Sequence, residues 1–179
     1  MVRHAVGLVP NAKLEHSIRE IWRELRSAGI ASNLLDDRGR PHLSLAVCGG
    51  LPQDFEREFE LFARGVRRMK LSLQAAGTFG VASGVVFLAP AITVELTGVH
   101  KSFHQSFGGR MDDCSGLYAP GNWVPHCTVA MGLEKGEICR AIGICAGERL
   151  PLEGMMTEAA LMRFQSNSVI SCTSFPLAE

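Results

Sequence analysis

Two short segments of the chain carry residues that could do chemistry together. Pro41-His42-Leu43-Ser44-Leu45-Ala46-Val47 and Pro125-His126-Cys127-Thr128-Val129-Ala130-Met131 share one pattern: proline, histidine, any residue, serine or threonine, apolar, alanine, apolar. Histidine changes charge near neutrality, so an imidazole can act as general acid or general base. A hydroxyl two residues on can hydrogen-bond a developing negative charge. Two such units facing one reacting centre could divide the work, one neutral imidazole taking a proton and one cationic imidazole giving one.

The histidine-hydroxyl spacing alone is a weak signal. Four of the six histidines have Ser or Thr two residues on: His42/Ser44, His100/Ser102, His104/Ser106 and His126/Thr128. The middle two lie on a predicted amphipathic helix, where residues two apart do not share a face. The outer two lie on predicted strands, where they do. Simple alternation then sends Leu43, Leu45, Val47, Cys127, Val129 and Met131 into a helix-covered core. Ala46 and Ala130 continue the histidine face, leaving room for a ligand over each imidazole. His100 and His104 have i, i+4 metal-ligand spacing but no glutamate between them and no third ligand, so a surface helix pair is expected. His4 is expected to be structural, and no metal site is assigned.

The elements that must position these residues can be read from periodicity. Leu14, Ile18, Ile21, Trp22 and Leu25 make one helical stripe, with Asn11 as N-cap and Gly29 as stop. Phe55, Phe59, Phe62, Val66 and Met69 make a second, after Pro52. Leu96, Val99, Phe103 and Phe107 make a third; Ile138, Ala141, Ile142 and Cys145 a weaker fourth. Strands are expected at Ala5–Val9, His42–Cys48, Leu71–Ala75, Val85–Leu88, Val124–Met131, Ala159–Phe164 and Val169–Cys172. Hairpin-like connections point to antiparallel sheets and the α+β class. The motif, a helix and two strands recur in each half, so residues 1–179 are read as one domain of two pseudo-symmetric lobes. The glycine-containing stretch Gly108–Asn122 is long for a compact domain, which marks it as functional or mobile.

Composition excludes several classes. The 179 residues carry 18 Lys+Arg and 18 Asp+Glu, with 46% hydrophobic residues. That is too apolar and too balanced for a disordered chain, and a neutral chain is poorly suited to contacting many phosphates. No run approaches the roughly 20 apolar residues of a membrane span. The N-terminus reads as a strand rather than a targeting signal. Six cysteines without a C-x-x-C motif read as free, buried thiols in a reducing cytoplasm. The chain is expected to be a monomer.

Two strand-borne H-x-[ST] motifs, one per half of a chain of this size, resemble the two-histidine (2H) phosphoesterase superfamily. That superfamily includes the LigT-like 2′-5′ RNA ligases and the 2′,3′-cyclic phosphodiesterases. The resemblance spans nearly the whole chain in architecture; in sequence it is confined to the motifs and their flanks. It implies a bilobal α+β fold: two antiparallel sheets, outer helices and a central cleft where the motifs face each other. It implies a metal-independent, cofactor-free phosphodiesterase opening a 2′,3′-cyclic phosphate at an RNA end or on a small nucleotide. His42 and His126 carry over as acid and base, Ser44 and Thr128 as phosphate ligands; which imidazole is the base stays open. Trp123 and Tyr118 could stack on a base or pack the loop. Arg40 and Arg163 could reach the cleft or stay on the surface. Two alternatives remain within this frame: a 2′-5′ RNA ligase or 2′-5′ phosphodiesterase, and a non-catalytic nucleotide- or RNA-end-binding module. A third, outside it, is a cytosolic interaction domain with incidental histidines.

Overall fold

The computed structural model describes residues 2–30, 34, 39–147, 149–165 and 168–179. Among them, four α-helices and seven strands run in the order β1 (Val2–Pro10), α1 (Ala12–Ser27), β2 (Leu43–Cys48), α2 (Phe55–Gly65), β3 (Met69–Thr78), β4 (Val86–Pro90), α3 (Val94–Phe107), β5 (Cys127–Ala130), α4 (Lys135–Cys145), β6 (Leu152–Gln165) and β7 (Ser168–Pro176). The sequence Ile30–Arg40, to which no element is assigned, lies mostly outside the described residues.

The helices form where the stripes predict them. On α1 the Asn11 side chain accepts from the Leu14 amide at 3.2 Å, a cap worth about 1 kcal/mol. Its stripe Leu14, Ile18, Ile21, Trp22 and Leu25 is buried, each side chain contributing roughly 1.5–3 kcal/mol. Gly29 adopts a positive φ of 72° just past the helix. On α4, Glu134 and Glu137 form a reciprocal capping box. The second stripe runs past its helix: α2 ends at Gly65, and Met69 opens β3 instead. The cause is backbone pairing with the C-terminal tail. Ala178 donates to Val66 and accepts from Arg68, which draws residues 66–68 into extended conformation.

The sheet departs from the expectation of two separate sheets. One seven-stranded antiparallel ladder runs β2-β1-β6-β3-β4-β5, with β7 pairing the far part of β6. The 14-residue β6 makes this possible. Its first residues pair with β3 (Leu71↔Gly154), and its later ones pair with β1 on one side and β7 on the other. The order strand-helix-strand-helix-strand occurs twice, as β1–β3 and as β4–β6, and the last strand of each set pairs with the first strand of the other. The two motif strands, β2 and β5, end up at opposite edges of the ladder. Gly154 is required where α1 crosses, since an added Cβ would lie 2.6 Å from the Leu14 side chain.

One face of the sheet carries the main core under the helices, where Val6, Leu8, Leu43, Leu45, Ile18, Phe59, Phe103 and Val129 pack. The other face carries a small cluster of Ala5, Val9, Ala160 and Met162, with Val47 and Phe164 against it. Above this second face opens the cleft.

Candidate active site

Both motif strands carry the same irregularity. In β2, Ser44 pairs with Gly7 and Ala46 with Val6, so Leu45 has no partner on β1. In β5, Thr128 pairs with Phe87 and Ala130 with Val86, so Val129 is the extra residue. A β-bulge shifts the alternation beyond it by one residue. This overturns the expectation from plain alternation. Ala46 and Ala130 turn into the main core, and Val47 and Met131 join the histidines in the cleft. Gly7 is required opposite the first bulge, where a Cβ would stand 2.6 Å from the Leu43 carbonyl oxygen.

The histidines sit one residue before their strands, each seated on its own main chain. His42 Nδ1–H donates to the Arg40 carbonyl at 2.7 Å, and His126 Nδ1–H donates to the Val124 carbonyl at 2.7 Å. With Nδ1 holding the proton in that bond, Nε2 is the nitrogen of each neutral ring left with its lone pair. The motifs also meet: the Cys127 thiol lies against the backbone of His42. His42, Ser44, His126 and Thr128 line one cavity of about 330 Å³, with Tyr118, Arg3, Ala5, Val47, Phe164 and Val169 among its other walls.

Burial holds both imidazoles below their ordinary pKa, each partly offset by its carbonyl partner; a proton on His126 pushes His42 down further. The Tyr118 phenol is raised by burial, offset in part by the Ser44 hydroxyl beside it. Its ring centroid lies 6.2 Å from that of His126.

The other expected contacts are placed differently. Arg40 reaches the cavity wall, but its guanidinium is engaged: it donates to Glu15 at 2.8 and 3.0 Å and to Glu158 at 2.8 and 3.0 Å. Trp123 is not among the cavity-lining residues. Its indole stacks on His100 at 3.9 Å and 4°, and its Nε1–H donates to the Ser44 carbonyl at 2.9 Å. Arg163 is exposed and outside the cavity, because the period of β6 gives the cleft face to Met162 and Phe164. His100 and His104 are not a surface pair. His100 is 5% exposed, and both rings hydrogen-bond main-chain carbonyls, His100 that of Tyr118 at 2.9 Å and His104 that of Leu45 at 3.0 Å. Among the described residues no cluster of three or more His, Cys, Asp or Glu is arranged to hold a metal ion. The cysteines are free, though Cys114 and Cys139 are exposed rather than buried.

Several contributors were missed from sequence. Phe79 and Phe87 pack on the His126 ring at 4.7 and 5.3 Å. They lie in regions where only hydrophobicity, and no motif, marks them. Arg3, Phe164 and Val169 enter the cavity from β1, β6 and β7. The long sequence separations of these strands from the motifs carry no local signal.

Among the described residues, no helix is long and apolar enough to cross a membrane. A comparison with curated proteins finds no match. Among solved structures the fold is similar to that of Escherichia coli LigT in apo form, with TM-score 0.60 and 19% identity over 100% of this chain and 99% of that one. LigT complexed with 3′-AMP matches with TM-score 0.60 and 20% identity, over 99% and 98%. TT0787 of Thermus thermophilus matches with TM-score 0.58 and 18% identity, over 98% and 97%. The family model of the 2′-5′ RNA ligase superfamily matches residues 10–168, which include both histidine motifs, and the chain belongs to that superfamily of LigT-like 2H phosphoesterases.

Proposed function

We propose that the chain is a phosphodiesterase that opens a 2′,3′-cyclic phosphate on a small nucleotide or an RNA end, using His42 and His126 without a metal. The observation that carries this reading is the matched seating of the two imidazoles. Each is held through Nδ1 on the carbonyl two residues back, and both line one cavity with a hydroxyl beside each.

Hydrolysis breaks one P–O bond of the ring and makes one to water. The attacking water loses a proton on one side of phosphorus, and the departing ribose oxygen gains one on the other. One imidazole, neutral, takes the proton from water through Nε2; the other, protonated, gives its proton to the leaving oxygen. Ser44, Thr128 and Tyr118 hydrogen-bond the non-bridging oxygens as charge builds. The same groups run in reverse would join a 2′ end, as the name of the superfamily suggests.

The cavity supports a small substrate. About 330 Å³ is near the lower end of ligand pockets, which run from about 300 to 1,000 Å³. Its described arginines are both paired, Arg3 with Asp113 and Arg40 with Glu15 and Glu158. One phosphate is therefore gripped by hydroxyls and titrating imidazoles. Ala5, Val47, Phe164 and Val169 offer an apolar wall to the nucleoside. A LigT structure holds 3′-AMP, consistent with a nucleotide in the corresponding cleft here. The twice-repeated element order supports reading residues 1–179 as a single domain of two pseudo-symmetric lobes, one motif from each.

Purified protein in excess chelator, offered each 2′,3′-cyclic mononucleotide, a 2′-5′-linked dinucleotide and an RNA with a 2′,3′-cyclic end, tests this by ³¹P NMR of the products. A single phosphomonoester isomer from the cyclic substrates is expected. Activity that vanishes with the chelator and returns with a divalent ion contradicts the metal-free scheme. Binding without turnover of any of them assigns the chain to a nucleotide-binding module instead.

A further inference from the structure

The bulge in β2 creates a problem that the rest of the molecule solves. Leu45 is unpaired with β1 and fully buried, and a buried carbonyl left without a donor is costly. Two consecutive carbonyls at this bulge are capped by aromatic ring N–H groups. Trp123 Nε1–H reaches the Ser44 oxygen at 2.9 Å, and His104 Nε2–H reaches the Leu45 oxygen at 3.0 Å. His100 joins them. Its ring lies flat on Trp123 at 3.9 Å, sits 4.5 Å from His104, and its Nε2–H holds the Tyr118 carbonyl at 2.9 Å. The main chain bearing both hydroxyls that meet in the cavity, Ser44 and Tyr118, is thus tied to one aromatic cluster of two α3 imidazoles and the Trp123 indole. Among the described residues, the matching bulge at Val129 has neither an indole nor an imidazole on its carbonyls.

We propose that His104 and Trp123 are positioning residues that hold the Ser44 hydroxyl in register with the phosphate by capping the Ser44 and Leu45 carbonyls, with His100 locking the same stack to Tyr118. A donor aids the transition state only if it is fixed where charge develops, so residues that fix it contribute without touching substrate. This assigns a use to the two helix-borne histidine-hydroxyl pairs that the catalytic motif leaves over, and it gives Trp123 a role other than stacking on a base. The proposal rests on the phosphodiesterase reading of the cavity.

The test measures kcat and KM on a 2′,3′-cyclic nucleotide. Trp123→Phe keeps an aromatic face on His100 and removes the N–H; His104→Phe removes its N–H; His104→Gln keeps a side-chain N–H donor. Trp123→Phe and His104→Phe are each expected to lower kcat by about 10- to 100-fold, the range seen for hydrogen-bonded partners of metal ligands, alongside any rise in KM. His104→Gln recovers most of that loss. In a Ser44→Ala background both Phe variants have little further effect, because they act through Ser44. A raised KM at constant kcat for Trp123→Phe, or losses that multiply fully with Ser44→Ala, overturns the proposal. Wild-type protein that turns over no cyclic nucleotide would overturn the activity reading instead. The brace is then read from inorganic phosphate affinity: weaker binding in His104→Phe but not in His104→Gln supports it, and equal binding in both removes it.

Discussion

The two halves of the cavity carry the same local backbone and very different surroundings. Both imidazoles sit on the carbonyl two residues back, and both strands bulge immediately after the hydroxyl residue. Around His42, however, several of the described groups are tied down. Arg40 is pinned between Glu15 of α1 and Glu158 of β6, Arg19 holds the Gly39 carbonyl at 3.0 Å, and Trp123 and His104 cap the bulge. Around His126 the seat is looser. Val124 is 48% exposed, as is Phe79 at 46%, and the ring is flanked by Phe79 and Phe87 rather than by ion pairs. One motif, repeated, thus gives two half-buried imidazoles in unlike frames, one of ion pairs and capped carbonyls and one of aromatic edges. A pair acting as acid and base, as proposed, draws on such unlike surroundings.

The largest test of the comparison removes each imidazole. His42→Ala and His126→Ala are each expected to cost about 10²–10⁴-fold in kcat, measured by steady-state hydrolysis of a cyclic nucleotide. A surviving rate near wild type in either variant breaks the division of labour. Next comes the frame. Arg40→Met leaves Glu15 and Glu158 facing each other without their cation. Their side chains are 14% and 29% exposed, so the loss is expected to be about 2 kcal/mol, below the 3–5 of a fully buried pair. Urea unfolding measures it, and Val124→Ala, at the equivalent place in the other half, should change stability by less than about 0.5 kcal/mol. Equal losses would erase the distinction between a rigid half and an open one.

The pH dependence tests both imidazoles. Both imidazoles lie below the ordinary value of 6.5, so in the free enzyme the base loses function as pH falls through the lower value, and the acid as pH rises through the upper. The kcat/KM profile should be a bell centred below 6.5, while the kcat profile shifts upward because bound phosphate favours the imidazolium. The same shifts bear on folding. A histidine with a lowered folded-state pKa stabilises fully above its unfolded value, and the unfolded chain gains protons first as pH falls below it. The Tm should therefore fall as pH drops below 6.5, through His4, His42, His100 and His126. The smallest expected effect belongs to the open half. Phe79→Ala removes one edge contact on His126, worth about 1 kcal/mol. Opening the ring to water should move its pKa back toward the ordinary value, as followed by NMR.

Much of this was legible in the amino-acid order because it is local. The α1 stripe, the Asn11 cap and the two proline-histidine-hydroxyl segments are short-range patterns whose side-chain period decides where they point. The misreadings are equally specific. Nothing in Ala46-Val47 or Ala130-Met131 announces a bulge, since the extra residue is defined by its partner on β1 or β4. Trp123 was legible as an aromatic near the motif, but not as one whose face is already covered by His100. Arg40 is readable as a cleft or surface residue but not as a paired one, because its partners, Glu15 and Glu158, lie 25 and 118 residues away. The joining of the ladder through β6 depends on pairing of β3 with β6, from Met69↔Met156 to Leu73↔Leu152, a separation that no local pattern encodes.

The central claim is that both imidazoles serve one phosphorus. It is tested most directly by following the Cε1–H resonances of His42 and His126 against pH, with and without inorganic phosphate. The account predicts that both pKa values begin below 6.5, and that both rise on phosphate binding with a single shared dissociation constant. A phosphate-dependent shift at only one imidazole, or two different dissociation constants, would contradict it.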